Sequence, residues 1–434
     1  MKNSLSRSSE SAGASVLSPG RAHFLFGCLV TAYFFSFFFR VSASVVLPEQ
    51  AARIGMGAAL TGFLSSLYYY AYAVMQAVSG ALHDRFGPLK VMAGGMALAA
   101  LGTAFLVVEP SPFTLGAWRL LTGIGLAPMY GGALVYQASA FTPDKYVFYS
   151  SVTLSLGALG AIVSVAPLGW FLDALGLSRT FAGLAGVSLA MAFLLWKERA
   201  YDPVPARPVF AGQPARSVIS RLREAFGMIV SSSYLRNLLV VWSVSASAQL
   251  SYQGLWAVSW YRTAYGVPAS EARNWASLIS IGMFLGTVML GRFWGRTEQR
   301  FRAMCFWSLF NGLSWTALLL SVAFRLPLPL AGVCGFCVGA ANGLCAVHYA
   351  SATKEQAAGA NTGALLGTMN TVVIVLAVVF QWGTGAIISL FPGEQPGELT
   401  SLGFLVCFSL VTLVILGSLL SLRALKNPGS LSER

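Results

Sequence analysis

Apolar stretches of about twenty residues recur along the whole chain, separated by short polar breaks, and each is long enough to cross a bilayer as one α-helix. Twelve can be read, over 24–47, 59–80, 89–108, 112–137, 146–170, 180–196, 236–261, 272–291, 302–322, 327–350, 359–390 and 400–422. Strands of a membrane barrel would show only about ten alternating residues per crossing, whereas these runs are apolar on all sides. Charged residues make up only 10% of the 434 positions and mean hydropathy is +0.68, against roughly 25% charged in soluble domains. The expected fold is an all-α membrane protein with twelve transmembrane helices, and the lipid bilayer is its first partner.

The net charge of +13 does not read as a nucleic-acid footprint, because of where the cations stand. With the N-terminus inside, 21 Lys and Arg fall on inner segments, while outer loops hold five: Arg53, Arg179, Arg262, Arg273 and Arg325. This is the bias that orients membrane proteins, so both termini are expected in the cytoplasm, in a bacterial inner membrane. The six cysteines all lie within apolar runs; Cys334 and Cys337 form a CxxC in a helix of small residues, which suits packing better than a metal site. No metal, cofactor or disulfide is expected.

Residues 1–20 hold seven serines and no apolar run, and read as a disordered cytoplasmic tail. The first apolar run, 24 residues long, exceeds the core of a cleavable signal peptide. The expected divisions are a six-helix bundle over 21–196, a basic, proline-bearing cytoplasmic linker over 197–235, a second six-helix bundle over 236–422 and a cytoplasmic tail over 423–434. A weak internal repeat supports the two halves: "GALHDRFGPLK" from Gly80 and "GRFWGRTEQR" from Gly291 are offset by 211 residues, which aligns Gly80 with Gly291 and Arg85 with Arg296.

The first of these segments, through Gly80, Leu82, Asp84, Arg85, Gly87 and Lys90, resembles the signature loop of the major facilitator superfamily. "RLLTGIGLAPMYGG", with Arg119, Gly123 and Gly125, resembles that superfamily's second motif. The resemblance covers nearly all of the chain beyond the tail. It implies two bundles that rock about a central site, as in transporters built from repeats, with Gly80, Asp84, Arg85, Gly87, Lys90, Gly291 and Arg296 as a gating motif. In the first loop, Gly80 and Gly87 are expected to allow close helix contact and a tight turn. Asp84 is expected to cap the following helix or pair with a cytoplasmic Arg when the halves close.

Two charges lie well inside apolar spans, Arg40 in "FFFRVSASVVLP" and Arg119 in the fourth span. Each is about seven residues from the outer end, roughly 10 Å deep at 1.5 Å per residue. An intramembrane charge costs about 2.5–3.5 kcal/mol on insertion scales and is by default functional. Snorkelling of Arg40 to headgroups and bonding of Arg119 to neighbouring carbonyls are the bland alternatives. A guanidinium presents a planar fork that suits a carboxylate or phosphate, and no acid lies mid-span to neutralise it. Arg40 and Arg119 are therefore expected to bind an anionic or zwitterionic solute, with Tyr69 and Tyr72 of the second span and Tyr252, Gln253 and Trp256 of the seventh lining the cavity.

Within the superfamily, an arginine on each of the first and fourth helices looks most like the organic-anion symporters of the sialin and hexuronate type. The chain also resembles bacterial amino-acid carriers and relatives of lysosomal dipeptide transporters. Organophosphate exchangers place an arginine on the seventh helix, where this chain has Tyr252 and Gln253, so a phosphate-ester or inorganic-anion exchanger is the second reading. The proton-coupled members have acids where this chain has Phe39 and Leu126. The expected function is secondary active or facilitative transport of a small carboxylate-bearing solute by a monomer. An enzyme would need convergent catalytic groups, and His23, His83 and His348 all sit near cytoplasmic helix ends with no matched catalytic acid, base or metal ligand in the sequence. A transporter-like sensor would need an added domain, for which no segment is long enough.

Overall fold

The computed structural model describes residues 18–202, 215–290, 300–357 and 362–425. These residues are helical almost throughout; the only pairing of extended chain among them is an isolated bridge between Pro392 and Leu399.

Twelve crossings are built from sixteen α-helices. The first crossing is α1 (Pro19–Val41) and α2 (Ala43–Arg53), separated at Ser42. The second is α3 (Ala58–Phe86), and the third α4 (Pro88–Ala104). The fourth joins α5 (Pro112–Leu126), which starts on a Ser111–Thr114 capping box, to α6 (Met129–Ala140), with Pro128 at the break. The fifth and sixth use α7 (Pro143–Val163) and α8 (Ala166–Lys197); Gly176, at φ +77°, turns the chain between them inside α8.

The second half opens with α9 (Ala215–Ser231), bent by 100° from α10 (Ser233–Ser251). The seventh crossing continues from α10 through a π-helical turn, Tyr252–Trp256, into α11 (Ala257–Tyr265). Then come α12 (Ala269–Leu285), α13 (Arg300–Ala323), α14 (Leu328–Ala357), α15 (Thr362–Ser389) and α16 (Ser401–Ser418). The boundary between the fifth and sixth crossings is a single glycine turn at Gly176, inside the break expected between residues 170 and 180.

Lipid supplies no hydrophobic drive between helices, so crossings hold together through small residues and hydrogen bonds. Gly95 and Gly125 bring α4 and α5 to backbone contact, and Gly123 leaves room for the Tyr68 backbone on α3. The second sequence motif is thus a packing surface in this fold.

The halves meet along α3 and α15. Gly62 faces Gly385 and the Gln381 carbonyl near one end of that contact, and Asn370 Nδ2 donates to Gln76 Oε1 at 3.3 Å toward the other. On the membrane face opposite the chain ends, called here the far face, Arg273 of α12 reaches across to α8. Its NH2 donates to both Asp173 carboxylate oxygens at 2.7 Å, and its NH1 to Gly169 O at 3.3 Å. One turn on, Ser277 Oγ accepts from Ala166 N.

Candidate functional site

Arg119 is fully buried on α5, and its guanidinium is committed to two neighbouring helices. NH1 donates to Phe39 O on α1 at 2.7 Å, while Nε and NH2 donate to Ser65 O on α3 at 3.4 and 3.3 Å. The Tyr68 ring lies 4.6 Å from its Cζ, and Tyr68 Oη in turn donates to Ser36 O on α1. This is a brace tying α1, α3 and α5 together through main-chain acceptors.

Arg40 stands one residue along from the carbonyl that Arg119 holds, yet its environment is different. Its side chain lies over Phe37 and Tyr72, at 4.6 and 5.1 Å to the ring centroids, with Tyr33, Tyr68 and Tyr69 around it. Its Nε is buried with no hydrogen-bond partner among the described residues. The ion pairs among those residues are Arg21–Glu198, Arg53–Glu49 and Arg273–Asp173. Arg40 belongs to none of them.

Gly254, in the π-helical turn of the seventh crossing, stands beside this cluster, next to Tyr69, Gln381 and the Arg40 carbonyl. A Cβ built there would stand 3.1 Å from Tyr69 Oη, 3.2 Å from Gln381 Nε2 and 3.9 Å from Arg40 O. A side chain there would have to push Tyr69 Oη and Gln381 Nε2 aside by a few tenths of an ångström. Tyr69 Oη and Gln381 Oε1 are both buried with no hydrogen-bond partner among the described residues. A π-turn shifts side-chain register within a helix and is frequent at functional sites. Here it presents backbone to Arg40.

That register separates the other expected site residues from the pocket. Tyr252 packs among Trp315, Phe408 and Trp260 inside the second half. Gln253 Nε2 donates to Ser280 Oγ on α12 at 2.8 Å, and Trp256 Nε1 donates to Thr384 Oγ1 on α15 at 2.9 Å. The structure thus gathers Arg40, Tyr69 and Tyr72, with Arg119 behind them. It turns Tyr252, Gln253 and Trp256 into the packing of their own bundle. Gln381 and Gly254 come up to Tyr69 from the second half, and neither is among the site residues expected from the sequence.

The signature loop also differs in detail from its sequence reading. Gly87, at φ +85°, makes the tight turn, but the cap on the next helix is Asp202, not Asp84. Asp202 Oδ1 accepts from Leu89 N at 2.8 Å and Oδ2 from Lys90 N at 3.2 Å. Its carboxylate fills the space where a Gly87 Cβ would stand. Burial pushes the Asp202 carboxyl above its ordinary range, while those two amides and the Lys90 charge pull the other way.

Asp84 Oδ2 is buried without a partner among the described residues, and Arg85 lies against the Phe86 ring. Among the described residues nothing stands within 4 Å of a Cβ built at Gly80, so the expected close helix contact is not made there by any of them. Gly291 and Arg296 lie outside the described residues.

Two six-helix halves that meet along α3 and α15 make this a polytopic helical membrane protein. The Major Facilitator Superfamily profile matches residues 29–380, and the chain belongs to that family. Among similar proteins, a probable sulfoacetate transporter of Cupriavidus necator is 29% identical over 176 residues, 40% of each chain. A cis,cis-muconate transport protein of Acinetobacter baylyi is 25% identical over 267 residues, covering 59% of this chain and 62% of that one. The chain spans about half the length of the curated relatives it matches. Among solved structures, the nucleoside transporter NupG superposes with a TM-score of 0.73 at 14% identity, covering 93% of this chain and all of that one. At that identity the likeness speaks for the fold alone.

Proposed function

We propose that this transporter moves a small carboxylate-bearing solute, an organic anion, amino acid or dipeptide, by alternating access, with Arg40 as its anchor. The observation that carries the reading is the state of Arg40: buried at Nε, ringed by aromatics and without a carboxylate partner among the described residues. Desolvating a permanent cation is costly unless an anion compensates it, so the counter-charge arrives with the solute. Arg119 has its donors on carbonyls and acts as a positioning residue that fixes the α1 backbone next to Arg40. Tyr69 and Tyr72 line the pocket, and Tyr252, Gln253 and Trp256 support it from behind.

The names of the relatives support an organic acid over a phosphate ester, since sulfoacetate and muconate both carry carboxylates. The bias of basic residues supports a cytoplasmic location for both chain ends and for the signature loop, in a bacterial inner membrane. The loop acts as a gate on that side.

The test is thermal stabilisation of the purified protein by a panel of sulfoacetate, muconate, sugar acids, amino acids, dipeptides and hexose phosphates, since a ligand stabilises the state that binds it. At least one carboxylate is expected to raise the melting temperature of the wild type and to leave the Arg40→Ala protein unmoved. Equal stabilisation of both proteins would overturn the anchoring role.

A further inference from the structure

A second polar cavity lies on the far face between the halves, with a volume of about 560 Å³. Three pieces of helix and one loop enclose it: a stripe of α2 that includes Ser44 and Glu49, a stripe of α11 that includes Val258 and Arg262, Arg273 of α12, and the turn around Glu398. Its volume falls within the range of small-molecule sites, roughly 300–1,000 Å³.

The cavity is in line with the Arg40 pocket. Ser44 follows Arg40 by four residues on the first crossing, and Val258 follows Gly254 by four on the seventh, so its floor is about 6 Å beyond the Arg40–Gly254 contact at 1.5 Å per residue. What separates the two compartments is one layer, the meeting of Gly254 with Tyr69 and Gln381.

The charges of the cavity are partly taken. Arg273 is held by Asp173 and Gly169 O. Glu49 pairs with Arg53 at 3.5 Å, whereas Glu398 accepts from Gln395 N at 3.0 Å but has no cation within ion-pair distance among the described residues, so its charge is not neutralised. Arg262 is exposed, and among the described residues no carboxylate stands within ion-pair distance of it. One guanidinium is left uncommitted at the outer end of the line that leads to Arg40.

We propose that this cavity is an outer binding site for the solute's carboxylate, which Arg262 holds before the Gly254 layer opens toward Arg40. The inference rests on the carrier reading and adds to it a site on the far face. Solute approaching from that side pairs with Arg262 in water-exposed surroundings, where the attraction is weak and fast to release. The deeper, desolvated Arg40 then binds it more tightly. The two arginines form a graded series, about 12 Å apart in depth at 1.5 Å per residue if Arg40 is set level with Gly254.

The probe for the test is carbon-13 acetate, a bare carboxylate, observed by its line broadening in the presence of purified protein in lipid nanodiscs. Wild type is expected to show two components, the tighter of which disappears in Arg40→Ala. The weaker component should persist in Arg40→Ala, survive in part in Arg40→Ala/Arg262→Lys and fall at least threefold in Arg40→Ala/Arg262→Gln. Size-exclusion profiles and unfolding temperatures should match throughout, because Arg262 is exposed. A weak component indifferent to Arg262→Gln overturns the outer site and leaves the carrier reading standing. Loss of both components in Arg40→Ala alone overturns it as well. If Arg40→Ala removes neither component, it is the anchoring role of Arg40 that fails.

Discussion

Arg40 and Arg119 are the same residue at the same depth in the membrane, and the structure treats them in opposite ways. Arg119 meets two carbonyls, Phe39 O and Ser65 O, and is fully buried among them. Arg40 meets ring faces and the Tyr72 hydroxyl, and keeps a buried Nε without an acceptor among the described residues. Cation–π contacts attract a guanidinium but do not consume its directional donors. The difference is one of acceptor supply, and it separates a residue that holds the protein from one left able to hold something else.

Lysine substitutions bring out the largest contrast. Arg40→Lys keeps the charge but loses the fork, so solute affinity should fall by about ten- to a hundredfold, the equivalent of a charged hydrogen bond of about 1.5–3 kcal/mol, with an unchanged unfolding temperature. Arg119→Lys should lower the unfolding temperature and leave residual binding. Thermal unfolding and ligand titration on both variants check this; if both lose binding equally at unchanged stability, the two arginines share one role.

A second substitution isolates the brace. Arg119→Met removes the donors and leaves Phe39 O and Ser65 O to find others, at about 1–3 kcal/mol for each acceptor stranded. Denaturation in detergent should show the loss, and preloading with the stabilising carboxylate should recover part of it by binding the native state. No loss of stability would mean that the carbonyls find other donors.

The smallest expected effect is that of a proton gradient. A guanidinium does not titrate, and the positions beside the arginines where an acid would sit hold Phe39 and Leu126. Transport in proteoliposomes is therefore expected to proceed as facilitated diffusion or exchange. Uphill accumulation driven by an imposed inward-acid gradient, and abolished by a protonophore, would refute this and implicate a titratable group such as His348.

The crossings and the two halves were legible because their signals are long: runs of some twenty apolar residues, and a repeat half a chain apart. Arg40 was legible because a charge inside such a run stands alone. What sequence could not carry was direction. The acceptors of Arg119 are main-chain carbonyls, which every residue has and no residue type announces. Tyr252, Gln253 and Trp256 have the composition of a cavity lining, but the π-turn that contains them decides which way they point. The cap on α4 comes from Asp202, more than a hundred residues downstream, while the nearby Asp84 looked better placed. Gly254 was silent for the opposite reason, since its role is to lack a side chain where three helices converge on it.

Because Arg40 comes to the seam with no carboxylate beside it among the described residues, an unloaded carrier holds one elementary charge more than one occupied by a monoanion. Voltage acts on charge that moves, by about 2.3 kcal/mol per elementary charge per 100 mV. Under the proposed anchoring, the membrane potential weighs on the reorientation of the empty site and leaves the occupied one nearly untouched. The electrically sensitive half of the cycle is then the return journey.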